Sequence, residues 1–171
     1  MNFINNSKNN FVKQKTLKNN ILFSGVGLHT GKAVSMSIEP SEPNTGVVFE
    51  RTDLYENNLI KAIIDNVDET CLCTKITNKH GVSVSTIEHL MAAFHGLEID
   101  NVKVKINSDE LPALDGSSYV YVKKIIDAGV KFQSINRKCI KILKRIKFCL
   151  NDRYISAEPS NELLLNINID Y

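Results

Sequence analysis

Apolar and polar residues alternate over residues 33–39, with Val34, Met36 and Ile38 on one face and Ser35 and Ser37 on the other. A period of two predicts a half-buried strand, stopped by Pro40. The same alternation returns at Val102, Val104 and Ile106, interleaved with Lys103 and Lys105. Between these strands the period changes. Ile87, Leu90, Met91, Phe94 and Leu97 have helical spacing, with Gly96 expected as a left-handed stop. Residues 117–128 read as a second helix ending at Gly129. Residues 13–23, 47–51, 59–64 and 71–76 are further strand candidates, with a Gly-rich turn at 24–31 and other turns at 78–81 and 112–116. Strands first, then helix, strand and helix, predict an α+β domain with sheet and helices in two layers.

The pattern also divides the chain. Residues 1–12 read as a frayed terminus, 13–130 as the α+β domain and 131–137, which are polar, as a linker. Residues 138–171 read as the start of a second, similar domain that this chain leaves truncated. In its last run Leu163, Leu165, Ile167 and Ile169 share one face against Asn166, Asn168 and Asp170. A strand with that face needs something to cover it.

Composition narrows the functional classes. Of the 171 residues 43% are hydrophobic, enough for a packed core, which excludes a wholly disordered chain. The charges, 21 Lys+Arg against 19 Asp+Glu, leave +2, no footprint for nucleic acid or an anionic membrane. No run approaches the ~18 apolar residues of a spanning helix, so no stable membrane insertion is expected. Residues 1–10 lack the apolar core of a secretory signal. Four cysteines (Cys71, Cys73, Cys139 and Cys149) are too sparse for a disulfide scaffold. Reduced thiols and a cytoplasmic location follow.

The strongest chemical candidate is Ser85-Thr86-Ile87-Glu88-His89-Leu90. A carboxylate beside an imidazole at a helix start can set a general base next to a metal ligand. Ser85 with Glu88 three residues on is also a capping box, in which Glu88 only bonds back to the Ser85 amide. Spacing alone favours the cap, and a carboxylate held there is poorly placed as a base. His89 alone reads more simply as a partly buried surface histidine. The run Gly25-Val26-Gly27-Leu28-His29-Thr30-Gly31 lacks the Lys-Ser/Thr of a phosphate loop and is followed by a strand, so it reads as a tight connector. Cys71 and Cys73 would share one face of a strand, but no second Cys pair or nearby His completes a metal site. Asp115-Gly116-Ser117 reads as a turn and helix cap.

These segments form an ordered series. It runs through Thr16-Leu17-Lys18, residues 24–31, 44–53, 71–74 and 85–90, Ile99-Asp100-Asn101, and 110–117 with its Glu110-Leu111-Pro112-Ala113-Leu114-Asp115-Gly116-Ser117. From about Lys13 onward the series resembles the UDP-3-O-acyl-N-acetylglucosamine deacetylases, zinc amidases of lipid A synthesis in Gram-negative bacteria. The resemblance reverses the weighing of Glu88. It implies that Glu88 is the catalytic base, that His89 is a ligand of Zn2+, and that acetate is released from the N-acetyl group of a UDP-linked acylated glucosamine. Leu28, His29, Leu72 and Cys73 are implied near the cleft, with Leu28, Leu72 and Cys73 along an apolar passage for the acyl chain. The implied fold is two similar α+β domains facing each other across the site.

The family's other zinc ligands lie in a His-Lys-x-x-Asp run of the second domain. The four histidines here, His29, His80, His89 and His95, form no such run. Cys71 stands where an apolar residue such as Met is expected. A fragment inactive alone is the expectation, and a non-catalytic remnant or binding domain derived from the enzyme is the alternative.

Overall fold

The computed structural model describes residues 12–169. The expected frayed terminus, except Val12, lies outside the described residues, as do Asp170 and Tyr171. The chain divides into two compact units, Met1–Arg137 and Lys138–Tyr171.

In the first unit β1 (Lys13–Leu17), β2 (Ile21–Val26), β3 (Ala33–Pro40), β4 (Val47–Arg51) and β5 (Leu59–Lys61) lead to a 3-10 turn (Ile64–Asn66). There follow β6 (Val67–Glu69), β7 (Lys75–Thr77), β8 (Ser83–Val84), α1 (Glu88–Gly96), β9 (Val102–Ile106), α2 (Tyr119–Ala128) and β10 (Val130–Asn136). The main sheet has five strands in the order β2-β3-β9-β4-β5. Only β4 and β9 run parallel; the other neighbours are antiparallel. A three-stranded sheet (β6-β7-β8) and the pair β1-β10 complete the unit.

Alternation dictates how the main sheet is buried. Val34, Met36 and Ile38 of β3 and Val102, Val104 and Ile106 of β9 are buried, and they join Phe23, Phe49 and Ile60 in one core. Leu90, Ala93 and Phe94 of α1 and Tyr121 and Ile125 of α2 cover it. The Phe23 and Tyr121 rings meet with centroids 5.1 Å apart. Each large apolar chain so buried contributes about 1.5–3 kcal/mol. On the polar positions Lys105 pairs with Glu39 at 2.9 Å and Lys103 with Glu50 at 3.1 Å. These half-exposed pairs contribute little, because solvent screens them. The α+β expectation is met.

Several local expectations are corrected. Residues 13–23 form two strands, because the chain bends after Leu17, where the Lys18 N–H donates to the Gly129 carbonyl at 2.9 Å. Residues 131–137 are no linker; they supply most of β10, antiparallel to β1. That strand is polar because it is tied down by polar contacts. Arg137 donates to Asp100 at 2.8 Å, and buried Asn101 donates to Gln133 at 2.7 Å and Gln14 at 2.9 Å. Residues 71–73 form a bend, not a strand, and only β7 follows, so Cys71 and Cys73 share no strand face. Gly96 stays within α1, and Glu98 takes the left-handed conformation instead, at φ 58°.

The second unit, described by itself, is a hairpin of β11 (Ile146–Leu150) and β12 (Arg153–Ala157), antiparallel across a turn with Asn151 at φ 54°. Lys147 lies 4.5 Å from the centre of the Tyr154 ring, and Arg145 pairs with Glu158 at 3.0 Å. Residues 163–169 form no strand: the apolar alternation is present, but a strand also needs a ladder partner, and they have none among the described residues.

Candidate active site

Four segments of the first unit converge on the start of α1. The helix opens at Glu88, with Ile87 at its N-cap and no side-chain cap. The capping box is therefore absent. Ser85 Oγ donates instead to the Asp109 carbonyl at 3.1 Å, and Ser85 bridges Glu110 in parallel. Glu88 is left to a different partner: its Oε2 accepts the Thr74 N–H at 2.9 Å, and the Ile87 N–H reaches back to the Thr74 carbonyl at 3.4 Å. The bend carrying Leu72 and Cys73 is thus fastened to the helix start.

Glu88 and His89 are both half-buried. Oε1 of Glu88 accepts no hydrogen bond among the described residues. The charge of Glu88 is felt nearby. Burial first, then the carboxylates of Glu88 and Asp115, push the Tyr121 hydroxyl above its ordinary range, and that hydroxyl donates to the Pro112 carbonyl at 3.1 Å.

Glu110, which sequence reasoning missed as a site residue, organises the other side. Its side chain is 0% exposed and its carboxylate accepts four hydrogen bonds. They come from the His29 N–H (2.9 Å), the Thr30 N–H (2.8 Å), Thr30 Oγ1 (2.7 Å) and Thr86 Oγ1 (3.2 Å). Burial raises its pKa, but these donors outweigh burial and hold the carboxyl below its ordinary value. Gly27 backs onto the same carboxylate; a Cβ there would collide with Glu110 Oε2 and Thr30 Oγ1. The only hint in the sequence was a carboxylate directly before the apolar pair Leu111-Pro112.

Strain gathers at this junction. Leu72 (φ 62°) and Thr86 (φ 59°) are non-glycine residues in the left-handed region. Such a conformation costs roughly 1–2 kcal/mol. For a β-branched residue such as Thr86 it is an outlier that its surroundings must impose.

The predicted cleft residues sit on these tethered segments. Leu28 (67% exposed) and Leu72 (87% exposed) offer apolar surface outward, His29 is exposed and Cys73 is half-buried. A groove of about 710 Å3 lies elsewhere, among Leu22, Ser37, Lys105, Leu114 and Lys124, and none of the predicted site residues lines it. Its cations are already engaged: Lys105 by Glu39, and Lys124 by the Leu22 carbonyl and the Phe23 ring.

As a metal site the donor set is incomplete. A protein zinc site takes three or four protein ligands. Among the described residues no three His, Cys, Asp or Glu side chains are grouped to hold an ion. A single imidazole such as that of His89 does not make a site. The four cysteines are free thiols. No helix among the described residues is long and apolar enough to cross a membrane.

The fold presents an α+β domain with adjacent Glu and His at an uncapped helix start. The chain belongs to the LpxC family, UDP-3-O-acyl N-acetylglycosamine deacetylase, whose profile matches residues 14–171. It is 39% identical over 160 residues to the UDP-3-O-acyl-N-acetylglucosamine deacetylase of Haemophilus influenzae (strain PittEE), covering 94% of this chain and 52% of the relative. The enzymes of the same name from Histophilus somni (strain 129Pt) and Actinobacillus succinogenes (strain ATCC 55618 / DSM 22257 / CCUG 43843 / 130Z) are 38% and 40% identical over the same length. The chain spans about half the length of the curated relatives it matches.

Proposed function

We propose that this chain supplies the base-bearing half of a UDP-3-O-acyl-N-acetylglucosamine deacetylase of lipid A synthesis, acting in the cytoplasm. The observation that carries the reading is Glu88: half-buried beside His89, free of any cap, and held through one oxygen by the Thr74 N–H. Glu88 takes a proton from the water that attacks the N-acetyl carbonyl. The C–N bond breaks, acetate leaves, and the proton passes to the departing amine. The Thr74 N–H fixes one oxygen of the base and leaves the other to face water. Leu28, Leu72 and Cys73 border the passage for the acyl chain, and His29 lies near it.

His89 would hold a zinc ion as one of its protein ligands. Zinc, when bound, polarises the carbonyl and acidifies water. Residues 1–171 alone are expected to show no turnover, because the described donors do not complete a site.

The test is Glu88→Ala in the intact protein, with acetate release as the readout. Turnover should fall roughly 10²–10⁴-fold, the range for removing a general base, with the melting temperature little changed. His89→Ala should instead lower bound zinc, measured by elemental analysis. Near-normal turnover of Glu88→Ala would sink the catalytic assignment.

A further inference from the structure

Resting on that reading, we propose that Glu110 is a positioning residue whose buried carboxylate holds Thr86 and the 27–31 loop so that Glu88 is aimed at the substrate amide. Glu110 touches no reacting atom; it acts through the backbone. Its Oε1 accepts both the Thr86 hydroxyl and the His29 N–H, so one oxygen joins the entry to α1 to the loop bearing Leu28 and His29. Its Oε2 takes the two Thr30 donors and closes the loop.

Thr86 is the hinge of this arrangement. Ser85 before it is fixed by backbone bonds to Asp109 and Leu111, and Ile87 after it bonds the Thr74 carbonyl. The left-handed turn at Thr86 therefore sets the angle at which the first turn, with Glu88, leaves those anchors. A β-branched residue prefers to leave that conformation. The hydrogen bond to Glu110 opposes the escape. Gly27 lets the loop approach the carboxylate closely enough to close the latch.

Glu110→Gln keeps the volume but replaces one acceptor oxygen by a donor, so the His29 and Thr30 amides cannot both be satisfied. In the intact protein it should lower kcat for deacetylation of the UDP-linked acylated N-acetylglucosamine by about 10–100-fold, the usual effect of removing an outer-shell partner. KM should rise as well, because the loop bearing Leu28 loses a tether, so kcat is the readout that tests the aim of Glu88. Hydrogen exchange at the His29 and Thr30 amides should quicken.

A residue that merely stabilises the fold could produce part of this, so rescue decides. Thr86→Gly relieves the left-handed strain without needing the bond. Added to Glu110→Gln it should recover kcat several-fold, although the extra glycine lowers stability. Should Glu110→Gln fail to fold, Thr86→Val replaces the hydroxyl by a methyl and so removes only the bond to Glu110 Oε1, and a several-fold fall in kcat is expected with the loop amides still protected. Wild-type kcat in Glu110→Gln, no recovery in the double variant, or wild-type kcat in Thr86→Val would overturn the proposal. If Glu88→Ala, run alongside, kept full turnover, the catalytic reading would fall. Amide exchange would then still report whether the latch exists.

Discussion

The carboxylate of Glu110 accepts four hydrogen bonds from within the protein, whereas that of Glu88, at the same junction, accepts one among the described residues. An ionised carboxylate has about four acceptor sites, so Glu110 is saturated and Glu88 has sites to spare. The backbones around them differ in the same sense. The loop at Glu110 uses Gly27, where a side chain has no room, and Gly31 at φ 64°. The bend at Glu88 turns instead through Leu72, an apolar residue in a conformation glycine would adopt without strain. Where bonds and glycines are all provided, the local role is to hold; where a lone pair is left open and strain is tolerated, capacity remains for binding and chemistry.

The sharpest way to break the comparison is Gly27→Ala. The added Cβ meets Glu110 Oε2 and Thr30 Oγ1, and the buried latch has little freedom to move aside. A loss of about 1–3 kcal/mol is expected from overpacking, read by denaturant unfolding. Gly31→Ala is the internal control. It has φ 64° but no heavy atom within 4 Å of the added Cβ. It should cost only the backbone strain, about 1–2 kcal/mol. No loss at Gly27, or a loss that leaves exchange at the His29 and Thr30 amides unchanged, would show slack around Glu110.

A smaller effect is expected from pH. The pKa of Glu110 is lowered in the folded protein from its ordinary value of 4.5. The unfolded chain then binds more protons than the folded one between the two values. The associated stability is fully present above the unfolded value and is lost as pH falls through the folded one. Unfolding free energies of wild type and Glu110→Gln should therefore differ most above the ordinary value of 4.5 and converge as pH falls below it. A gap that stays constant, or widens in acid, would mean that the carboxylate is not ionised in the latch.

The legible parts of the molecule were those governed by one dominant force. Val34, Met36 and Ile38, or Leu90 and Phe94, announce their period because burial on one face outweighs everything else there. The strand β10 did not announce itself. It is held by Arg137, Gln133 and its ladder with β1, and such polar anchors resemble a linker when read one residue at a time. The 71–73 bend looked like a strand because Leu72 adopts a conformation its residue type disfavours. Ser85 and Glu88 have the spacing of a cap, yet Asp109 and Thr74 claim them. Contacts distant in sequence overruled the local pattern wherever the candidate site was being built. The adjacent carboxylate and imidazole drew attention to Glu88 and His89, and resemblance reversed the weighing against a cap, while the isolation of Glu88 from that cap and the four bonds to Glu110 emerged only from the fold.

The smallest stability effect belongs to Leu72→Gly, and it tests the other side of the comparison. The side chain is 87% exposed, so its removal forfeits little burial. Relief of left-handed strain favours the variant by about 1–2 kcal/mol, and the greater freedom of glycine in the unfolded chain opposes it by about 0.5–1 kcal/mol. Stability should therefore be unchanged or improved by up to about 1.5 kcal/mol, measured by thermal or denaturant melting. The proposed acyl passage would account for a leucine that the fold does not need. If the acyl chain of the substrate packs on it, KM of the intact protein should rise about tenfold, a loss of about 1.4 kcal/mol of binding. A more stable variant with unchanged KM would remove Leu72 from the acyl passage and leave its strained bend without a function.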